Sequence, residues 1–450
     1  MKTKILSLIL SLVMVITMVP KLELNVSADN STITDEQGID YKLNDDGTAT
    51  VLGPKEGVKI GTKFVIPAEI NGYRVTIIAD DAFNVRRMSD EFCDSYNSYD
   101  IDDYTCLKRW GKLIVEFSSL NNIEIIGKRA FNKCFIPAGE IILDHLKEIG
   151  DGAFENCSFA EGAERHFEIE SGGDSTNYMR EFVIIDISKS LTTLGQKVFF
   201  NTFGLKEVKL PKDFSNHLNF AFAKCYDLEN LDVPAGVTKF NNWEFAYCKN
   251  LRLDKLPPNL TEIGDSAFYE CKNLRFKKLP DGLRKIGIDA FNGAKMEELT
   301  IPYGWTEIPE AMLYGAEINL VNMPITIESI GKNAFAYSEL TSINVEADSG
   351  IVNIPSGVKY IGEGAFKLCK RIRSVNIPAS VSYIEKLAFF GNDNLTAING
   401  MIDSGVVNIP SGVESIGESA FGSCRGIKLL NISNSVSKIG RRAFANCINL

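Results

Sequence analysis

The sequence predicts a repeat solenoid, in which short stacked units share one elongated core and a parallel β-sheet covers one face. Two observations lead to this prediction. A phenylalanine in an Ala-Phe-x-x-Cys-like block recurs at steps of 22 or 23 residues in most places and 31, 32, 45 or 48 in others. Each unit also carries a Leu-x-x-Ile-x-Ile-like stretch, which a proline usually follows. A period of about 20 to 50 residues is typical of units that must stack to bury their apolar faces. The repeat phenylalanines are Phe83, Phe131, Phe154, Phe199, Phe222, Phe245, Phe268, Phe291, Phe335, Phe366, Phe389, Phe421 and Phe444, and Leu313 takes the same place once.

Residues 1–28 are predicted to form a secretory signal peptide. Lys2 and Lys4 precede an apolar run from Ile5 to Val19, and a stretch of small residues ends at Ala28, where cleavage would occur. The run of 15 residues is short for a membrane span, although a retained membrane anchor is the alternative. No later segment is long and apolar enough to cross a bilayer. We therefore expect a secreted or cell-surface protein with no membrane span in the mature chain.

Residues 29–66 are predicted to form an N-terminal β cap and the strand that leads into the array. Tyr41–Leu43 and Thr48–Val51 flank Asn44-Asp45-Asp46-Gly47, a sequence typical of a β-hairpin turn. At the other end, Leu450 lies six residues after Phe444 and would be the first residue of a further strand. Because solenoids need polar caps, we expect that the C-terminal cap is missing and that the sequence is a fragment of a longer protein.

Residues 67–450 are predicted to form about 14 coils with the consensus L-x-x-I-x-I-P-x-x-V-x-x-I-G-x-x-A-F-x-x-C-x-x. The first six positions predict a strand whose apolar residues point inward, and proline ends it because it lacks an amide donor. The Val-x-x-Ile pair packs the far side, and glycine turns the next corner. Ala-Phe-x-x-Cys fits a short helical turn or irregular structure. Parallel strands joined in this way coil right-handed in nearly all proteins, so we expect a right-handed arc.

This pattern resembles the BspA-like, or treponemal, class of bacterial leucine-rich repeats. The resemblance covers roughly residues 60–450, where the motif IPxxVxxIGxxAFxxC recurs with little change. It implies a leucine-rich-repeat arc with a parallel β-sheet on one face. It also implies a bacterial protein that is secreted or attached to the cell surface, as most family members are. Several members act as adhesins toward host matrix proteins or other cells.

The repeat cysteines are predicted to be small buried residues rather than a disulfide framework. Other coils place alanine, serine or threonine at the same position, and a free cysteine behaves as a small apolar group. Cys93 and Cys106 lie outside the repeat register, in an insertion, and are a candidate disulfide. The repeat cysteines are Cys134, Cys157, Cys225, Cys248, Cys271, Cys369, Cys424 and Cys447.

The sequence offers little for a metal, a cofactor or catalysis. It has no CxxC and no HExxH motif, and His217 takes the place of an inward isoleucine, where it is predicted to be packed or capping. Asp100, Asp102 and Asp103 could hold calcium, but they lack the spacing and glycine of a calcium loop, so a solvated acidic loop is favoured. A cysteine in a stacked core also lacks the histidine and polar pocket that a nucleophile needs. We therefore expect no cofactor, no metal site and no catalysis.

Two insertions, near residues 84–113 and 158–181, are the candidate ligand-binding elements. Both interrupt the period between Ala-Phe-x-x-Cys and the next strand, so both should leave the same edge of the arc. Insertions in repeats often lie on a binding face, and exposed aromatic residues are common anchors. The alternative is that each insertion is a drifted coil whose aromatic residues fill a core. The candidate contacts are Tyr96, Tyr99, Tyr104, Trp110 and Tyr178.

Two coils break the strand pattern. They place Asp254 and Lys277 at the fourth strand position, where most coils have an inward apolar residue. Either the two charges form a buried pair across neighbouring strands, or these strands shift so that Leu253 and Phe276 turn inward and both charges turn outward. In both cases we expect Asp254 and Lys277 to be neighbours.

These features together predict a non-catalytic recognition or adhesion protein that binds an extracellular protein or glycan. A net charge of −10 with scattered lysine and arginine gives no electrostatic footprint for nucleic acid. The alternative is the binding arm of a larger extracellular enzyme or docking assembly, with its functional module beyond residue 450. The sequence identifies neither the ligand nor the oligomeric state.

Overall fold

The fold is given by a computed structural model. It describes residues 31–55, 61–84, 113–117, 121–137, 139–159 and 183–450. Every regular element in these ranges is a short strand, and they contain no helix.

Three antiparallel strands begin the described chain. They are β1 (Thr32–Thr34), β2 (Ile39–Leu43) and β3 (Thr48–Pro54). Strands β2 and β3 form the hairpin that the sequence predicts. Strand β3 then pairs in parallel with β6 (Tyr73–Ile78), which forms a small hairpin with β5 (Glu69–Ile70). The cap is therefore continuous with the first sheet of the array.

The leucine-rich stretches form a front layer of parallel strands, as predicted. A first pair joins β4 (Lys63–Ile66) to β7 (Ile114–Phe117). A four-stranded sheet follows, with β9 (Gly139–Ile142), β11 (Val183–Asp186), β13 (Leu205–Lys209) and β14 (Asn230–Leu231). After a break, an eight-stranded sheet contains β18 (Lys295–Thr300), β20 (Glu317–Asn322), β22 (Ser342–Ile343), β23 (Ile351–Asn353), β25 (Ser374–Asn376), β27 (Ala397–Ile398), β28 (Val406–Asn408) and β30 (Leu429–Asn431).

A second layer of parallel strands, which the sequence does not predict, lies at the Val-x-x-Ile segment. Its strands have only two residues each after β6, because the corner, which is usually a glycine, follows at once. They are β8 (Ile125–Ile126), β10 (Glu148–Ile149) and β12 (Thr193–Leu194); then β15 (Lys239–Phe240), β16 (Glu262–Ile263) and β17 (Lys285–Ile286); then β19 (Glu307–Ile308), β21 (Ser329–Ile330), β24 (Tyr360–Ile361), β26 (Tyr383–Ile384), β29 (Ser415–Ile416) and β31 (Lys438–Ile439). This back layer is divided into three sheets.

The first break in the back layer lies at the coil of His217, whose side chain the sequence predicts to be packed or capping. That prediction is wrong. His217 is exposed, and Leu218 fills the core in its place, so the local register moves by one residue. The side-chain amide of Asn219 donates to Leu194 O at 2.7 Å, where other coils use a backbone amide. The buried carboxylate of Glu244 accepts hydrogen bonds from the backbone amides of Ala221 and Asn241. Side chains thus replace part of the ladder at this joint.

The second break in the back layer has a simpler cause. In a regular coil the corner glycine donates its amide to the preceding coil, as Gly264 does to Phe240 O at 2.9 Å. Pro309 takes the glycine position in the coil of β19 and has no amide hydrogen to donate. The strand pairing between β17 and β19 is therefore lost.

The Ala-Phe-x-x-Cys segment is not helical in any described coil. It follows two consecutive turns, with a left-handed residue two positions before and two positions after the phenylalanine, such as Ser266 (φ 52°) and Glu270 (φ 58°) around Phe268. Backbone hydrogen bonds connect neighbouring turns, for example Phe245 N to Ala267 O at 2.8 Å. The irregular alternative is therefore the one the protein adopts.

The repeat phenylalanines form a stacked column in the core. Neighbouring ring centroids are 5.1 to 6.1 Å apart along the column, which Leu313 interrupts. The corner glycines allow this close stacking. A Cβ atom on Gly264 would lie 2.5 Å from the backbone nitrogen of Asn242 in the preceding coil. Glycine is needed there because two backbones approach, and its φ is not left-handed.

The eight repeat cysteines are buried and unbridged, as predicted. Their thiols also have a role that the sequence does not show. Each Sγ donates to the carbonyl of the repeat phenylalanine in the preceding coil, as Cys248 does to Phe222 O at 2.9 Å. Asn392 makes the same bond with its side-chain amide, to Phe366 O at 3.0 Å. Burial raises the pKa of the Cys271 thiol far above its ordinary value.

The two long steps near the C-terminal end of the array add strands to the front layer alone. Strand β22 pairs directly with β23, and β27 with β28, without a passage through the back layer. The front sheet consequently has eight strands where the back sheet of the same region has six.

Candidate binding surface

The predicted contact residues Tyr96, Tyr99, Tyr104, Trp110 and Tyr178 lie outside the described residues, as do Cys93, Cys106 and the acidic group Asp100, Asp102 and Asp103. The described flanks of the insertions, including Leu113, Phe159 and Val183, are buried. Bridges join Ile114 to Phe135, Phe135 to Ser158, and Ser158 to Phe203. The flanks therefore lie along one edge of the array.

The described part of the chain contains no group of three or more histidine, cysteine or carboxylate side chains placed to hold a metal ion. Among the same residues there is no helix long and apolar enough to cross a membrane.

The break in the front layer, between β14 and β18, contains the two irregular coils. Leu253 and Phe276 are buried, while Asp254 and Lys277 are exposed. The second alternative is therefore correct: these two strands shift so that inward and outward side chains exchange positions. This shift explains the break, because it disrupts the strand. Few backbone bonds remain, among them Phe276 N to Leu253 O at 2.7 Å. Within the described ranges, the amides of Asp254 and Lys255 donate to no protein group.

Asp254 and Lys277 line the same groove, as expected of neighbours, but they form no ion pair with each other. Lys277 forms its ion pairs with the next coil, at 3.6 Å to Glu297 and 4.0 Å to Glu298. Both partners of the closer pair are well exposed, so it contributes little to stability.

Two adjoining grooves open on the front face at this break. The large groove has a volume of about 1170 Å³ and runs along coils from Lys272 to Arg371. The small groove has a volume of about 610 Å³ and lies between the two irregular coils. Arg275 and Lys277 line both grooves, so they form the boundary at which the two meet.

Most charged groups in the grooves already have partners. Lys295 pairs with Glu317 at 3.1 Å, and Lys278 pairs with Asp281 at 2.9 Å. Lys255, Arg275 and the carboxylate of Asp254 are different, because none of them makes an ion pair with any residue that the structure describes. Two cations are therefore available in the small groove.

Three groups of aromatic side chains lie on the turn layer, and the sequence did not predict them. They are Phe200 with Phe220, then Trp243, Tyr247 and Tyr269, then Tyr314 with Tyr337. Trp243 (φ 62°) and Tyr337 (φ 61°) are each 42% exposed and take left-handed positions. Bulky residues in that region are rare and cost about 1–3 kcal/mol, but most coils have a left-handed residue at these two positions, so the conformation belongs to the repeat. The signal in the sequence is an aromatic residue at positions around the repeat phenylalanine where other coils mostly have small or polar residues.

The model of the BspA-type leucine-rich repeat region matches residues 101–176, 173–293, 263–395 and 404–450, in six copies. No curated protein matches the chain.

Several solved structures match the chain at low identity and with TM-scores below 0.5. A leucine-rich cell surface protein from Faecalibacterium prausnitzii is 20% identical, with 89% of this chain and 94% of that chain covered and a TM-score of 0.42. A leucine-rich repeat protein from Bacteroides ovatus is 18% identical, with 92% of each chain covered and a TM-score of 0.48. The pneumococcal vaccine antigen PcpA is 17% identical, with 92% and 85% covered and a TM-score of 0.36.

Proposed function

The chain belongs to the BspA-type leucine-rich repeat family, and on that basis we propose that it is a secreted or cell-surface recognition protein. It binds an extracellular protein or glycan through its array and performs no catalysis. Adhesion to a host matrix or to another cell is the biological role that fits such binding.

The observation that carries this proposal is the length and openness of the large groove. Lys272, Lys295, Glu317, Glu339 and Arg371 line it from five successive coils. Stacked strands lie about 4.8 Å apart, so the groove is on the order of 20 Å long. An open groove of this length suits an extended polymer, whereas small-molecule sites are concave, mostly apolar and enclose most of the ligand.

The inserted segments complete the proposal. We assign Tyr96, Tyr99, Tyr104, Trp110 and Tyr178 as ligand contacts, and Cys93 with Cys106 as a disulfide that restrains the first insertion. This assignment is supported by the described flanks of the two insertions, which lie on one edge of the array. Exposed aromatic side chains are frequent anchors of recognition.

The test is binding of the purified full chain to immobilised extracellular matrix proteins and glycans. We expect saturable binding to at least one of them, with the ligand recovered chemically unchanged by mass spectrometry. Alanine at the five inserted aromatic positions should weaken that binding. A matched control places alanine at Tyr303 and Tyr383, which are 77% and 45% exposed elsewhere on the array. No binding to any ligand, or a modified ligand, would contradict the proposal.

A further inference from the structure

The break in the front layer concentrates positive charge in an acidic protein. The chain carries a net charge of −10, yet its two irregular coils present five cations outward. Arg252, Lys277 and Lys278 pair with carboxylates, whereas Lys255 and Arg275 have no ion-pair partner among the described residues. The shift of the strand register is what exposes Lys277, since a regular coil points this position into the core. Cations grouped at this break in the sheet create a local electrostatic field that attracts anions.

From this arrangement we propose that the two grooves at the break bind an anionic glycan through its carboxylate or sulfate groups. The proposal rests on the recognition function above and names the ligand class for one surface of it. Arg275 lies at the boundary of the two grooves and has no ion-pair partner in the described ranges. Its planar guanidinium can form two parallel hydrogen bonds with one carboxylate or sulfate group.

Further groups in the two grooves complete the recognition. Lys255 supplies a second unpaired cation in the small groove. The amides of Asp254 and Lys255 have no protein acceptor among the described residues, so a ligand oxygen or water must satisfy them. In the large groove, Tyr337 is 42% exposed, and the part of its ring that Tyr314 and Lys367 Nζ leave uncovered can contact the C–H side of a sugar ring.

The lining of the large groove favours a glycan over an acidic peptide. Peptide recognition depends on apolar anchors that enter pockets, or on strand addition at a sheet edge. The large groove offers only Leu274, Met296 and Tyr337 as larger apolar side chains, and Leu274 and Met296 are nearly fully buried. Charged and amide groups make up most of the remaining lining, which suits a polyhydroxylated, charged polymer.

The experiment measures binding of the full chain to four probes by biolayer interferometry: a heparin octasaccharide, an alginate octasaccharide, neutral dextran and a polyglutamate peptide. We expect saturable binding to one or both of the first two, weakened by added salt. Replacing Lys255 and Arg275 by alanine should weaken it about tenfold or more, as expected from the loss of two charge-assisted contacts. The control Lys359→Ala with Lys438→Ala removes the same charge from exposed back-layer positions and should have little effect.

Each contrary result overturns a defined part of the reasoning. Absence of binding to both anionic glycans, or equal binding to dextran, overturns the proposed ligand class. Equal losses in the groove variant and the control show that net charge, rather than this site, determines binding. Preference for polyglutamate identifies an acidic peptide as the ligand instead. In all these cases the broader recognition function stands if another ligand depends on the inserted aromatic residues, so the two failures are distinguishable.

Discussion

Replacing the buried Glu244 by glutamine should change how stability depends on pH. Glu244 occupies the alanine position of its coil and is fully buried. Its carboxylate accepts from Asn241 N at 3.1 Å, Asn241 Nδ2 at 3.0 Å and Ala221 N at 3.2 Å. These bonds favour the charged form, but burial outweighs them and raises the pKa from 4.5 to about 7. The residue therefore connects its own coil to the preceding coil of Phe222, at a cost that depends on its protonation.

The sign of the effect follows from the raised pKa. Below pH 4.5 the group is protonated in the folded and unfolded chain, and its contribution to stability is fully present. Between pH 4.5 and about 7 the unfolded chain releases the proton while the folded protein keeps it, so stability falls as pH rises. The shift corresponds to about 3 kcal/mol at 1.36 kcal/mol per pKa unit, as an order-of-magnitude value. Above pH 7 the loss is constant.

Glu244→Gln removes this titration. The free energy of unfolding of the variant, relative to that of the wild type, should therefore rise by about 3 kcal/mol between pH 4.5 and pH 8. Because a solenoid opens locally, the measurement is hydrogen exchange at the amides of Ala221 and Asn241, corrected for the intrinsic rate. Glu262→Gln is a control of opposite sign, since its hydrogen bond with Lys285 lowers the pKa of Glu262. An equal difference between Glu244→Gln and wild type at both pH values would refute the reasoning.

Four further predictions test the core and the surface. Phe245→Ala should cost about 3–5 kcal/mol, because it removes a buried ring stacked on both sides, and hydrogen exchange should rise in the adjoining coils; faster exchange confined to the coils near Phe421 would contradict this. Lys277→Met should cost under about 1 kcal/mol in urea unfolding because the side chain is 61% exposed, and a cost of about 3–5 kcal/mol would indicate a buried pair. Gly264→Ala should destabilise by about 1–3 kcal/mol in the same assay, since its Cβ would meet the backbone of Asn242, and an unchanged unfolding midpoint would argue against the close approach. Titration of the denatured, unreduced protein should find the eight repeat cysteines as free thiols, and two or fewer would disprove the assignment.

The inward-facing residues of each coil could be predicted from the sequence because they recur at the same positions of the repeat. The column through Phe245 and Phe268, the buried thiol of Cys248 and the front strands all follow from one residue type recurring at one position. A core position has the same surroundings in every coil, so its chemistry is constrained in the same way each time. The hairpin of β2 and β3 was equally predictable, since its turn sequence is local.

Contacts between neighbouring coils could not be predicted from the repeat pattern. The hydrogen bond from Cys248 to Phe222 O, the close approach at Gly264 and the bond from Ala221 N to Glu244 all join residues about one coil apart, across the gap between two backbones. The sequence explained glycine by a turn and cysteine by its size, because composition at a position does not show which neighbouring atom it faces. The exposed His217 and the lost bond at Pro309 likewise depend on the coil before them.

The sequence by itself determined that this chain is a stacked array with a phenylalanine core, small buried thiols and a hairpin cap, because burial selects residue types at a fixed period. Only the tertiary structure decided between the two arrangements of Asp254 and Lys277. It turned Leu253 and Phe276 inward, broke the front layer and brought Lys255 and Arg275 together in one groove. The physical reason is that surface residues are not constrained by burial, so their grouping depends on how neighbouring coils stack.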